Sequence, residues 1–150
     1  MKIREADMND MGILIEFEQE IIRAERPFDN SLKEVNIHYY HFQDLLRSPN
    51  AKVLVIEIQN EIIGSGYALI KEAEPYLKYD HFAYLGLMYV KPAHRGKGIN
   101  QLVLLKLKEW VMEKEITEIR LVVYDENTHA INAYKKAGFK PYVLEMRMEI

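Results

Sequence analysis

The sequence predicts an α/β (α+β) fold: a sheet with helices on both sides, in the order β-α-α-β-β-β-α-β-α-β. Three observations predict it. Val53 to Ile58 and Ile62 to Lys71 are β-branched, apolar runs split by the polar turn Gln59-Asn60-Glu61, which reads as a hairpin. The apolar run Phe82 to Val90 lacks clean alternation, as a strand buried on both faces does. Residues 97–114 then place Ile99, Val103, Leu107, Trp110 and Val111 on one side of a long helix.

The other elements follow in chain order. Residues 2–5 form a short strand. Residues 10–25 form a helix with Asp10 or Asn9 as N-cap and Leu14, Phe17, Ile21 and Ile22 on one face, ended by Pro27. After a loop over 28–32, residues 33–47 read as a second helix. Val35, Tyr39, Phe42, Leu45 and Leu46 face inward, and Ser48-Pro49-Asn50 closes it. Residues 73–80 are a polar connection. Glu118 to Tyr124 is a strand, 128–137 a helix ended by Gly138, and 139–149 a final strand or a pair joined near Pro141.

Composition narrows the class. A chain of 150 residues, 49% hydrophobic and 29% charged, suits one globular domain. No apolar run is long enough to cross a membrane and the N-terminus turns polar at once, so the expected address is the cytoplasm, away from any membrane. The absence of cysteine excludes disulfides, thiolate metal sites and a cysteine nucleophile. The five histidines form no ligand pair that outweighs ordinary packing, so no metal is expected. A net charge of −3 offers no basic surplus for nucleic acid.

The most informative segment is Tyr89-Val90-Lys91-Pro92-Ala93-His94-Arg95-Gly96-Lys97-Gly98-Ile99-Asn100. A strand stops at a proline, a basic loop with glycines follows, and a helix starts. The first N–H groups of a helix have no internal partner, and its dipole adds positive charge there. Glycines let an anion approach the backbone. The segment therefore predicts a phosphate or pyrophosphate ligand, with side-chain charge from Arg95, Lys97 and His94.

Arg95-Gly96-Lys97-Gly98-Ile99-Asn100 resembles the acyl-CoA motif Arg/Gln-x-x-Gly-x-Gly/Ala of the GNAT acetyltransferases. A second match lies downstream, Asn127-x-x-Ala130-x-x-x-Tyr134-x-x-x-Gly138-Phe139, in the right order and spacing. The resemblance covers roughly residues 51–140. It implies a single mixed, mostly antiparallel GNAT-like domain over 1–150. In it, 1–50 are substrate-covering helices, 51–140 the acyl-CoA core and 141–150 a C-terminal strand. It also implies acetyl-CoA as co-substrate, its pyrophosphate on the N–H groups of residues 95–100. The strand before the loop splays from its neighbour, and the backbone of Met88 and Val90 meets the pantetheine arm. The Met88 N–H then polarises the thioester carbonyl. Tyr134 becomes the acid that protonates the leaving thiolate, a phenol with a pKa of ~10 against a thiol of ~8.5. Asn127 has two roles open, N-cap of its helix and hydrogen-bond partner of pantetheine.

Two positions depart from the motif. Asn100 stands where Gly or Ala is usual. The strand Tyr84-Leu85-Gly86-Leu87-Met88 lacks the carboxylate base that many relatives carry, which leaves Glu25, His81, Glu126 and Glu145 as unranked candidates. For the acceptor, Arg26 can clamp a carboxylate, and Glu25 or Asp29 can hold an ammonium. A polar loop in which Asp29 or Ser31 caps the next helix explains the same residues. Tyr39, Tyr40 and His41 line the pocket or form a core stripe.

The expected activity is N-acetyl transfer from acetyl-CoA to a primary amine by direct attack, without a covalent enzyme intermediate. The acceptor is a small molecule, or alternatively a protein N-terminus or lysine. A non-catalytic acyl-CoA-binding or sensing domain is the competing reading, motivated by the missing strand carboxylate. The run Tyr142 to Ile150, rich in Met, Leu and Val, leaves room for a homodimer.

Overall fold

The computed structural model describes residues 1–150. Five strands form one sheet in chain order: β1 (Lys2–Glu5), β2 (Ala51–Ile58), β3 (Glu61–Glu72), β4 (His81–Val90) and β5 (Ile119–Arg120). β1 to β4 are antiparallel neighbours, and β5 joins β4 in parallel. The helices are α1 (Met11–Glu25), α2 (Phe42–Arg47), α3 (Ile99–Glu113) and α4 (Thr128–Lys136). The sheet is mixed and mostly antiparallel, with helices on both faces, as the sequence implied.

Strand alternation sends residues to two separate cores. From β2, Val53 and Val55 pack with Leu14 and Phe17 of α1 and Phe42 and Leu45 of α2, whereas Leu54 and Ile56 pack with Val103, Leu107 and Val111 of α3. The central strands therefore read as continuous apolar runs. The β2–β3 turn is tight, with Gln59 and Asn60 at φ 51° and 66°, the geometry that matches the twist of a hairpin.

β4 does not keep one face. Ala83 and Leu85 belong to the α3 core, yet Leu87 and Tyr89 belong to the α1 core and Val90 returns to the α3 side. The cause is a register shift: Tyr67 lies opposite Gly86 and Ser65 opposite Tyr89, so β4 carries one more residue than β3 over this stretch. Such a bulge reverses the side-chain sense of everything beyond it. Leu87 sits in it at φ 54°, a conformation uncommon for a bulky residue, with its side chain fully buried.

Several boundaries differ from the sequence reading. The start of α1 is organised by Asp7 rather than by Asp10 or Asn9. The Asp7 carboxylate accepts from Asn9 N–H, and Asp10 accepts from Asp7 N–H in a capping box and pairs with Arg4 at 2.8 Å. The helix expected over 33–47 begins only at Phe42. Residues 33–41 are a loop, and Val35, expected inward, is 71% exposed. Neither Asp29 nor Ser31 caps α2; Asp29 instead accepts from the Ser31 N–H and closes its own turn. The strand expected over 118–124 shortens to Ile119–Arg120, and no strand forms over 139–150. Those last residues carry no helix, turn or bend, and residues 140–150 make no backbone hydrogen bond.

Candidate active site

β4 and β5 pair only at Ala83↔Ile119 and Tyr84↔Arg120, and beyond these residues the two chains part. The Ala83 N–H reaches the Glu118 carbonyl at 2.9 Å, and the Lys91 N–H reaches the Ile63 carbonyl of β3 at 2.8 Å. Backbone direction alternates along a strand. Before the bulge the odd residues point toward β5; after it, Met88 and Val90 do. Their groups face the gap where β5 has ended. The Val90 carbonyl takes the Arg95 Nε at 2.8 Å, which leaves the Met88 backbone as the open part of this edge.

The loop that follows builds the anion site. Gly96 and Gly98 both lie at φ 76°, where a side chain is strained, and a Cβ on either would meet no atom within 4 Å. The space over them is open. Gly98 caps α3, whose first internal bond runs from the Leu102 N–H to the Gly98 carbonyl. The N–H groups of residues 96 to 101 therefore find no partner within the chain. Arg95 is exposed, anchored through Nε and stacked over Tyr89 at 5.6 Å, with its terminal nitrogens free. Lys97 folds back to the Ala93 carbonyl at 3.3 Å. Ile99 contributes backbone only, its side chain lying in the core. Asn100 Oδ1 is buried without a partner. These features fit an acyl-CoA: donors for the pyrophosphate, an open cradle above two glycines, and an unpaired amide at the helix start.

α4 closes the same gap. The Asn127 carboxamide oxygen accepts from the Ala130 N–H at 3.3 Å, so it does cap the helix, and its NH₂ remains free. Gln101 ties α3 to α4 through the Ala133 carbonyl. Tyr134 packs on the α3 core, edge-on to Phe139 at 5.8 Å. Burial, assisted by the charge of Glu25 and by Tyr84, pushes its hydroxyl up to about 12. The near match to a thiol expected from the sequence is thus lost, and the phenol stays protonated at any physiological pH.

The acceptor side is a tyrosine-walled acidic hollow. Glu25, at the end of α1, is half-buried. Burial raises its carboxyl, opposed by a hydrogen bond from the Tyr39 hydroxyl at 3.2 Å. Besides burial, the charge of Glu25 raises Tyr39, Tyr40, Tyr84, Tyr124 and Tyr134, so the carboxylate is central to the group. The Tyr124 hydroxyl donates to Asp29 Oδ2 at 2.8 Å. Ser31 foremost, then Tyr124, hold Asp29 down to about 2. Arg26 is turned to the Glu34 carbonyl at 3.0 Å. Of the other candidate bases, His81 begins β4 at the end away from the loop, and Glu126 and Glu145 are exposed. Tyr39 and Tyr40 do reach the site, from a loop rather than a helix; His41 is exposed at the start of α2.

Sequence reasoning missed the residue that fixes this loop. The Glu18 carboxylate, 0% exposed, accepts from the backbone N–H of Tyr39 and of Tyr40 at 2.9 Å each and meets His38 Nδ1 at 2.7 Å. The signal was present: Glu18 interrupts the apolar stripe Leu14, Ile22 at four-residue spacing.

A splayed strand pair, an amide-lined loop and a buried tyrosine facing an acidic hollow define an acyl-CoA-dependent transferase. The comparisons agree. The model of the acetyltransferase (GNAT) family matches residues 16–139. A thialysine N-epsilon-acetyltransferase of Sus scrofa is 31% identical over 147 residues, covering 91% of this chain and 82% of its own. Among solved structures, the BH1408 protein of Bacillus halodurans superposes with a TM-score of 0.90 at 20% identity, over 100% of this chain and 99% of that one. A Clostridium acetobutylicum chain, described as a predicted acetyltransferase and solved with acetyl-CoA, gives 0.80 at 24% identity, over 99% and 95%. This chain belongs to the GNAT acetyltransferase family. It is an enzyme that moves an acetyl group from acetyl-CoA to an amine.

Proposed function

We propose that the acceptor is a small primary amine, bound as a cation by Glu25, and that it attacks the thioester directly in a ternary complex. The observation that carries this reading is the placement of the half-buried Glu25 among Tyr39, Tyr84, Tyr124 and Tyr134. A carboxylate in such surroundings attracts an ammonium, and its raised pKa suits it to take the proton that the amine must lose. The aromatic walls favour a narrow alkylamine over a folded protein surface. The relative from Sus scrofa, named for a lysine analogue, is consistent with that class.

Acetyl-CoA supplies a thioester as acyl donor. The N–H groups of residues 96 to 101, with Arg95 and Lys97, hold its pyrophosphate; Asn100 and Asn127 add side-chain amides. The Met88 N–H meets the thioester oxygen, where negative charge develops. As the C–N bond forms and the C–S bond breaks, Glu25 takes a proton from nitrogen and Tyr134 gives one to sulfur. Coenzyme A release, followed with a thiol reagent over a panel of amines and peptides, tests the reading. Turnover on small diamines or amino acids supports it. Turnover confined to peptides assigns the acceptor to proteins instead.

The finer partner is a second copy of this chain. Tyr142, Leu144, Met146, Met148 and Ile150 alternate with Val143, Glu145, Arg147 and Glu149, the period of a strand. Yet the apolar members are 68–117% exposed and the segment has no ladder partner. Val122, just past β5, is 80% exposed on an equally unpaired stretch. Pairing the segment with that edge in a second copy satisfies both, reciprocally, and covers six large side chains per chain, on the order of the ~800 Å² per partner of stable pairs. Sedimentation of the full chain and of Met146→Glu decides it: a dimer converted to a monomer supports the pairing, and a monomeric full chain excludes it.

A further inference from the structure

We infer that Tyr40 and Ser65 are positioning residues that clamp the β4 bulge at Leu87 and thereby aim the Met88 N–H at the thioester; the inference rests on the site assignment above. The bulge decides which way Met88 points. Ala83 and Leu85 turn their backbone toward β5, and without an inserted residue Leu87 and Tyr89 would follow while Met88 faced β3. The inserted residue reverses this. Its conformation is unfavourable by itself, with Leu87 at φ 54°, and its two backbone groups are lost to the ladder.

Both groups are taken up by side chains. The Leu87 N–H donates to the Tyr40 hydroxyl at 3.2 Å, and the Ser65 hydroxyl, 0% exposed, donates to the Leu87 carbonyl at 2.9 Å. Neighbouring packing supports the clamp. A Cβ on Gly86 would lie 2.5 Å from the Tyr67 ring, and the Tyr67 and Tyr40 rings meet edge to face at 5.5 Å. Tyr40 is itself set by the Glu18 carboxylate on its backbone N–H. The chain from α1 through Glu18, Tyr40 and Leu87 to Met88 thus joins the acceptor loop to the donor strand. Neither Tyr40 nor Ser65 lies in the amide-lined loop, so each affects the reacting carbonyl without touching the pyrophosphate.

Tyr40→Phe keeps the ring and removes only the acceptor oxygen. The expected result is a fall in kcat of about tenfold, as a donor drifts off the position where charge develops. Coenzyme A affinity and Tm stay near wild type, and amide exchange at Leu87 quickens. Ser65→Ala, which frees the other side of the bulge, lowers kcat in the same way. An unchanged kcat in Tyr40→Phe overturns the inference. A parallel loss of kcat, coenzyme A affinity and Tm also overturns it, because that pattern marks a residue needed only for folding. The site assignment is checked separately: if Arg95→Ala and Gly98→Ala leave coenzyme A affinity intact, the assignment fails, whatever Tyr40→Phe shows.

Discussion

The Tyr39 hydroxyl stands 3.2 Å from the Glu25 carboxylate. A phenol from the loop thereby holds the one half-buried acid of the acceptor hollow in place, while burial keeps that acid readier to bind a proton than a free glutamate.

Glu25→Gln should lower kcat/KM by roughly 10²-fold, the range for loss of a general base. The pH profile carries the sharper signature. Because the Glu25 carboxyl titrates above its ordinary value of 4.5, wild-type activity falls as pH drops through that raised pKa. In Glu25→Gln this limb disappears, and only the limb set by the amine remains. An identical profile in both proteins removes Glu25 as the base.

Tyr134→Phe should reduce kcat by about tenfold or more with acetyl-CoA affinity unchanged, since only the donated proton is lost. With the hydroxyl pushed up to about 12, no wild-type pH limb below that value belongs to it. A full rate in Tyr134→Phe takes the residue out of the mechanism.

Gly98→Ala tests the loop. At φ 76° an added Cβ costs roughly 1 kcal/mol in backbone strain. The methyl also enters the open space where the pyrophosphate is proposed to lie. We expect KM for acetyl-CoA to rise about tenfold while kcat at saturation is largely kept. Calorimetric titration with coenzyme A gives the same comparison without turnover.

Asp29 gives the fold an acid sensitivity. Its carboxyl, held at about 2 by Ser31 and Tyr124, contributes stability that is complete above the unfolded value of 3.8 and is lost as pH falls from 3.8 toward 2. Urea midpoints measured between pH 5 and pH 2.5 should fall more steeply for wild type than for Asp29→Asn. Parallel slopes contradict the assignment.

Glu18→Ala should cost about 3 kcal/mol, because two backbone N–H groups lose a buried acceptor and a cavity opens in α1. Denaturant unfolding measures this.

Elements with strong periodicity were legible in the sequence: the stripe Leu14, Phe17, Ile22 gave α1, and Ile99, Val103, Leu107, Val111 gave α3. The loop over 33–41 was not. Its apolar spacing suits a helix, but Glu18 claims the N–H groups of Tyr39 and Tyr40, and Asn36 turns at φ 58°. A tertiary hydrogen bond outweighed a local preference. Tyr142 to Ile150 has strand periodicity without a strand, because pairing depends on an edge and not on the segment alone. In the site, Gly96, Gly98 and Tyr134 could be read from spacing. Ser65 and Tyr40 could not, since their roles arise from a bulge that no single position announces.

The gap between β4 and β5 gives binding a thermodynamic aspect. A sheet that parts after Tyr84 and Arg120 leaves the Met88 backbone solvated where a neighbouring strand would otherwise satisfy it. A ligand lying along that edge stands in for the absent strand, so its affinity is in part deferred folding energy. Occupancy should then raise the melting temperature with ligand concentration, and slow amide exchange most along β4, well away from the loop that grips the phosphates.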